Sequence, residues 1–137
     1  MINSKIGDIL DHLRQTIARL RSEGGLSIEE YLSQWKARDV IEREMEKAVQ
    51  CCIDAGARLI ALRGFRRARD NHDIFDVLAE QDVLPRPLAA KLKELVGLRN
   101  LLAHEYRRIE DEKVFRHFQD CPALCEQFAR AVATYLA

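Results

Sequence analysis

Proline and glycine are scarce in this chain of 137 residues, which has three prolines and six glycines. So few breakers argue against a turn-rich β-sandwich or barrel and leave room for long helices. Aromatic residues make up only 7%, and β-branched runs are nearly absent, which removes the usual material of sheets. No sign of charge prevails, with 22 Lys+Arg against 22 Asp+Glu. A general attraction to nucleic acid is therefore not implied, and an anionic partner has to be held by local patches. No apolar run approaches the roughly 18–20 residues that a membrane span needs. The opening MINSKIGDIL lacks the basic and apolar regions of a signal peptide, so a cytoplasmic protein with no membrane partner is expected. The four cysteines, Cys51, Cys52, Cys121 and Cys125, form no CxxC pair. Cys121 and Cys125 share a helix face with His117 one turn earlier, so a metal site can be drawn. Buried thiols are the commoner meaning of such a pair, and no metal or cofactor is expected.

What remains is helical pattern. The hydrophobic fraction of 47% beside 32% charge is that of an ordinary globular domain, and the length suits one domain over residues 1–137. Ile6, Ile9, Leu10, Leu13, Ile17 and Leu20 recur at helical spacing and predict a helix over 4–23, ended by Gly24-Gly25. Ser27 and Glu30 have capping-box spacing and open a short helix over 28–34. A long helix over 37–62 follows, with Val40, Ile41, Met45, Ala48, Val49, Cys52, Ile53, Ala57, Leu59 and Ile60 inward. Its outer face, with Arg38, Glu42, Arg43, Glu44, Glu46 and Lys47, has the look of a solvated surface. The stretch RGFRRARDNH, 63–72, breaks the period and reads as a loop. A shorter helix over 74–81 turns Phe75, Leu78 and Ala79 inward. After LPRP, with Pro87 suited to a helix start, a helix runs over 87–106. A last helix spans 111–135, with a kink expected at Pro122. Acidic pairs such as Glu29-Glu30 and the run Glu110-Asp111-Glu112 read as helix-start residues. The fold class is all-α, an antiparallel helical bundle.

The helix over 87–106 poses a question. With Leu88 as origin and about 100° per residue, Leu92, Leu95 and Leu102 all fall within about 40° of it, and Arg99 lies about 20° away in the middle of that stripe. Tyr106 falls on the same line. A guanidinium cannot simply face hydrocarbon, since burying it unpaired costs several kcal/mol. Arg99 is paired with a buried carboxylate, or snorkels to an edge, or faces a cleft or subunit interface where positive charge is wanted. His104 sits about 140° from Arg99 on an ideal helix. One straight helix does not bring both onto the same group, so the helix distorts near Ala103 or two copies of the segment share one site.

Arg99-Asn100, then three residues, then His104-Glu105-Tyr106, resembles the R-x4-H motif of the HEPN superfamily, and within it the RNxxxHxY pattern of the HepT-like toxins. RDVIEREMEKAVQCCIDAGARLI is similar to that family's long helix with its ID-A stretch. FDVLAEQDVLPRPLAAKLKELVGLRNLLAHEY and IEDEKVFRHF resemble the segments that follow, so the likeness covers nearly the whole chain. Two departures stand out: Ala103 replaces the usual valine, and the 63–73 loop is rich in arginine and lacks the usual proline.

The resemblance implies a homodimer whose motif helices meet at a cleft, and metal-independent cleavage of RNA by attack of a ribose 2′-OH on the adjacent phosphate. It implies Arg99, Asn100 and His104 as the catalytic set. Arg99 would stabilise charge on the phosphate, and His104 would move the proton. Asn100 would orient a phosphate oxygen or His104. It implies Tyr106 as the acceptor of AMP from an MntA-type nucleotidyltransferase antitoxin, which would fill the cleft and switch it off. A plain packing role for the Tyr106 ring is compatible with that. Arg63, Arg66, Arg67, Arg69 and Arg107 are candidate RNA contacts. The alternative is a solvated loop countered by Asp70, Asp73 and Asp76. A different class of function also fits the motif: a non-catalytic binding module that docks a nucleotidyltransferase and its nucleotide. So does a structural helical dimer with a vestigial motif.

Overall fold

The computed structural model describes residues 4–104 and 110–137. Those residues form six helices and, among them, no strand: α1 (Ser4–Ser22), α2 (Ile28–Ser33), α3 (Trp35–Arg63), α4 (Asn71–Glu80), α5 (Arg86–His104) and α6 (Asp111–Leu136). The all-α expectation is met. One hydrophobic cluster draws residues from all six helices. No helix among the described residues is long and apolar enough to cross a membrane.

Local chemistry accounts for most of the boundaries. α1 buries Ile6, Leu10, Leu13, Ile17 and Leu20, the stripe that its spacing predicts. The capping box that opens α2 is complete: Glu30 N donates to Ser27 Oγ at 3.1 Å, and Ser27 N donates to Glu30 Oε1 at 3.0 Å. α3 begins two residues earlier than expected, at Trp35. It ends at Gly64, whose φ of 66° is a left-handed cap that a side chain would strain. α5 and α6 run antiparallel. Gly97, Leu98 and Leu101 of α5 line one groove with Val114 and His117 of α6, and Lys91 and Leu95 line another with His117 and Leu124 further along. α3 and α6 run parallel, with Tyr31 tilted against Phe115 just ahead of α3 and Phe65 edge-on to Tyr135 just past its end. α5 is therefore antiparallel to α3, and its motif-bearing end meets the middle of α3.

Three expectations need correcting. Val40 and Ala57, placed in the α3 core by spacing, are exposed; Val40 joins Leu32 and Trp35 as an outward apolar residue. The charged face of α3 is only partly solvated. Arg38 donates to the carbonyls of Tyr31 and Leu32 at 3.2 and 2.7 Å, clamping α2 onto α3, and Glu42, Glu44 and Glu46 are half-buried. α4 starts at Asn71, inside the stretch read as loop, because Asp70 caps it by accepting from Asp73 N at 2.8 Å. α6 is continuous through the buried Pro122. Where the motif helix ends, expected near Tyr106, lies outside the described residues.

α4 packs closely on α3. A Cβ built on the buried Gly56 would lie 2.6 Å from Ile74 Cγ2 and 3.3 Å from Leu78 Cδ1. Only a missing side chain allows that approach. α4 is tied in turn to α5 by Lys93 Nζ and Asp76 Oδ2 at 3.0 Å.

Candidate active site

Leu88, Leu92 and Leu95 of α5 are buried, and Leu102 is half-buried against the core. Arg99 lies among them, half-buried, as the helical wheel requires. Its guanidinium reaches across to α3. Nη2 donates a short hydrogen bond to Oε1 of Gln50, and Nη1 donates to Oδ1 of Asn100 at 3.0 Å. Gln50 donates from Nε2 to Asp54 Oδ1 at 2.8 Å. The Nε of Arg99 is buried and, among the described residues, has no hydrogen-bond partner. Both partners are neutral amides, and among the described residues no carboxylate pairs with Arg99. The buried-carboxylate reading of this arginine therefore finds no support there. No carboxylate of the described residues balances this cation, and Nη1 and Nη2 each keep a second hydrogen with which a guanidinium meets a phosphate or carboxylate.

The structure brings Arg99 and Asn100 together but leaves His104 apart. His104 is the last described residue of α5 and is exposed. It stands five residues beyond Arg99, a rise of about 7.5 Å on another face. Tyr106 and Arg107 lie outside the described residues. Glu42, which sequence reasoning assigned to a solvated face, is a titrating neighbour of the start of α6. Burial, then Asp111 and Asp39, push its carboxyl up to about 7.

Sequence reasoning also passed over Gln50 and Asp54 as site residues. The signal lay in their spacing, since residues four apart share a helix face. Nothing in the sequence pairs that face with Arg99, 49 positions away.

The arginine-rich segment is a different place. Arg63 is thirteen residues beyond Gln50 on α3, a rise of about 20 Å at about 1.5 Å per residue. Arg66 is exposed, but its fork is taken up by carboxylates of its own chain. Nη1 and Nη2 donate to Asp73 at 2.8 and 3.1 Å, and Nε and Nη2 donate to Glu80, both at 2.8 Å. Those carboxylates occupy the fork and balance its charge, so Arg66 staples the loop to both ends of α4. Arg69 adds its backbone N–H to Asp73 Oδ2 at 2.9 Å. The hydrogen bonds from Arg66, then that from Arg69, hold the Asp73 carboxyl well below the usual carboxylate range. Arg63 lies over the Tyr135 ring, 5.5 Å from its centroid. Arg67 lines a cavity of about 510 Å³ with Phe65, Asp70 and Asn71.

All four cysteines are buried and free. Cys121 and Cys125 have Sγ atoms 3.9 Å apart, and the mutual hydrogen bond together with burial pushes the Cys121 thiol well up. Among the described residues no group of three or more His, Cys, Asp or Glu is arranged to hold a metal ion.

Several known proteins are similar to this chain. The chain is 27% identical over 131 residues to a tRNA nuclease HepT of Aphanizomenon flos-aquae, covering 96% of this chain and 84% of that one. It is 24% identical over 99 residues to an mRNA nuclease HepT of Shewanella oneidensis, covering 72% and 74%. Among solved structures it superposes with a TM-score of 0.86 on the tri-AMPylated HEPN toxin of Shewanella oneidensis, solved in complex with its MNT antitoxin. The identity there is 22%, and 94% of this chain and 96% of that one are covered. The family model described as ribonuclease HepT-like matches residues 13–132, all but the two ends, and the chain belongs to the HepT-like family.

Proposed function

We propose that this protein is the toxin of a HEPN/nucleotidyltransferase toxin–antitoxin pair: a metal-independent endoribonuclease, acting in the cytoplasm as a homodimer of single-domain chains. The observation that carries the reading is Arg99, a half-buried cation on an apolar stripe, held by two amides and met by no carboxylate among the described residues. A residue kept only for packing would be apolar or ion-paired. The nuclease names of the relatives and the AMP-bearing toxin among the structural neighbours point the same way.

In this reading Arg99 binds the scissile phosphate and stabilises the charge that builds on its equatorial oxygens. Asn100 holds the guanidinium plane at 3.0 Å and offers its amide N–H₂ to a phosphate oxygen. The 2′-OH oxygen attacks phosphorus, its proton is taken up, and the 5′-oxygen leaves with a proton. The products are a 2′,3′-cyclic phosphate and a 5′-hydroxyl end. His104 serves one of the two proton transfers. Because Arg99 and His104 stand on different faces of α5, a second copy of the helix completes the site. Tyr106 accepts AMP from an MntA-type nucleotidyltransferase, and the added phosphate occupies the charge that Arg99 offers to RNA. Arg63, Arg67, Arg69 and Arg107 supply backbone contacts beyond the cleft. Arg66, committed to Asp73 and Glu80, has a structural part.

The test combines mass and activity. The protein alone is expected to cleave RNA to cyclic-phosphate ends, with activity lost in Arg99→Ala and His104→Ala. With the nucleotidyltransferase and ATP, its intact mass should rise by AMP units and cleavage should stop, and Tyr106→Phe should prevent both. Full cleavage by His104→Ala would refute the catalytic assignment. No cleavage by unmodified protein, with AMP transfer intact, would favour a binding module that docks the nucleotidyltransferase and its nucleotide.

A further inference from the structure

The hydrogen-bonded chain from Asp54 through Gln50 to Arg99 has a direction. An ionised Asp54 can only accept, so the Gln50 group facing it at 2.8 Å is the amide N–H₂. The same amide must then turn its carbonyl toward Arg99, which can only donate. Donor-only and acceptor-only neighbours on opposite sides leave Gln50 one orientation. Its carbonyl in turn pins the Nη2 edge of the guanidinium to α3, while Asn100 takes an Nη1 hydrogen from the same helix. Nε is buried and, among the described residues, has no partner, so the hydrogens left for a ligand are the second ones on Nη1 and Nη2.

The chemistry of this arrangement is selective. A carboxylate at position 50 would hold Arg99 equally well but would neutralise it and compete with phosphate for the same fork. An apolar residue would leave the cation unpinned. An amide orients the guanidinium and leaves its charge uncompensated. The formal negative charge is one residue removed, on the exposed Asp54, where water screens it from the phosphate position.

We propose that Gln50 is a positioning residue for Arg99, locked in its orientation by Asp54, and that it aims an uncompensated guanidinium at the phosphate of the substrate. This rests on the nuclease reading above. It adds α3 to the site and assigns a role to two residues outside the R-x4-H motif.

The experiment compares Gln50→Glu, Gln50→Met, Asp54→Asn and Arg99→Ala with the natural protein. RNA cleavage, thermal stability and the salt dependence of binding to a single-stranded RNA are read for each, binding being measured in a His104→Ala background. Gln50→Glu should stay folded, with its melting temperature little changed, because the new ion pair to Arg99 is set against repulsion between the new carboxylate and Asp54. It should lose about 10–100-fold in kcat/KM, as groups that orient an active residue do. Its slope of log Kd against log salt should fall by about 0.7, one phosphate contact on a single strand. Asp54→Asn should move cleavage in the same direction by a smaller factor, because Gln50 can then turn over. Gln50→Met should lower kcat with the salt slope kept, since the charge remains but is no longer aimed. A purely structural role would move the melting temperature and leave the slope alone. Gln50→Glu with natural cleavage and natural slope, alongside an inactive Arg99→Ala, overturns the proposal and spares the nuclease reading. Arg99→Ala with unchanged slope and cleavage refutes the phosphate role of Arg99, and the proposal for Gln50 falls with it. Should Gln50→Glu fail to fold, the exposed Asp54→Asn carries the same decision.

Discussion

Replacing Arg99 with leucine separates a functional arginine from a structural one. The natural side chain leaves a buried Nε without a partner, which costs about 1–3 kcal/mol. Its two hydrogen bonds, donated by a charged group to neutral amides, return about 1.5–3 kcal/mol each, near the low end at a half-buried site. Leucine removes both the penalty and the bonds. It also extends the stripe of Leu92 and Leu95, adding about 1–2 kcal/mol of apolar burial at a half-buried site. Gln50 is half-buried, so its freed carbonyl can take a hydrogen bond from water. The terms nearly cancel, so the net expectation is a change within about 2 kcal/mol of zero. Urea melts at constant slope should show a midpoint little changed, and thermal melts a shift of only a few degrees. RNA cleavage should be lost in the same variant, because sites built for function are commonly kept at the expense of stability. A loss of more than about 2 kcal/mol with unchanged urea slope would refute the reasoning. Arg99 would then be part of the packing, and the charge on the stripe would need no ligand to explain it.

Two further outcomes follow from the packing around α4. Gly56→Ala gains about 1 kcal/mol of helix propensity but forces α4 away from a contact of 2.6 Å, at about 1–3 kcal/mol, so stability should fall by about 0–2 kcal/mol. In a double-mutant cycle with Ile74→Ala, the added methyl fills part of the void, and the coupling should be favourable by at least about 0.5 kcal/mol; additive losses would show that the helices do not meet there. Asp73→Asn should lower the melting temperature at neutral pH by several degrees. Asp73 has its folded pKa depressed by Arg66, so its contribution is present above its unfolded value of about 4 and is lost as pH falls through the folded one. The gap between natural protein and variant should therefore close as pH drops below about 4. A gap independent of pH would mean that Asp73 acts by shape alone.

Much of this molecule can be read from residue order because much of it is local. The α1 stripe, the Ser27–Glu30 capping box and the long α3 each depend on residues within a turn or two of one another. Arg99 stood out for the same reason: a helical wheel needs only one helix to reveal a charge on an apolar face. The Asp70 cap of α4 was also local, but the arginines around it drew the eye to a loop. Other features depended on partners far apart in sequence. Arg66 reads as one of five arginines free to meet RNA until α4 folds back and presents Asp73 and Glu80. Val40 and Ala57 fit the α3 period yet face outward, because burial depends on which neighbours arrive, not on spacing alone.

The sequence by itself determined the helices, the family likeness and the residues that carry it, since helix periodicity, capping and a short motif are properties of contiguous chain. Only the tertiary structure decided what those residues meet. It set the antiparallel approach of α5 to α3, placed Gln50 against Arg99, and paired Arg66 with Asp73 and Glu80. The physical reason is that a hydrogen bond or ion pair is specified by distance in space. The packing of apolar faces chooses which distant residues come within 3 Å, and no pattern along one helix encodes that choice.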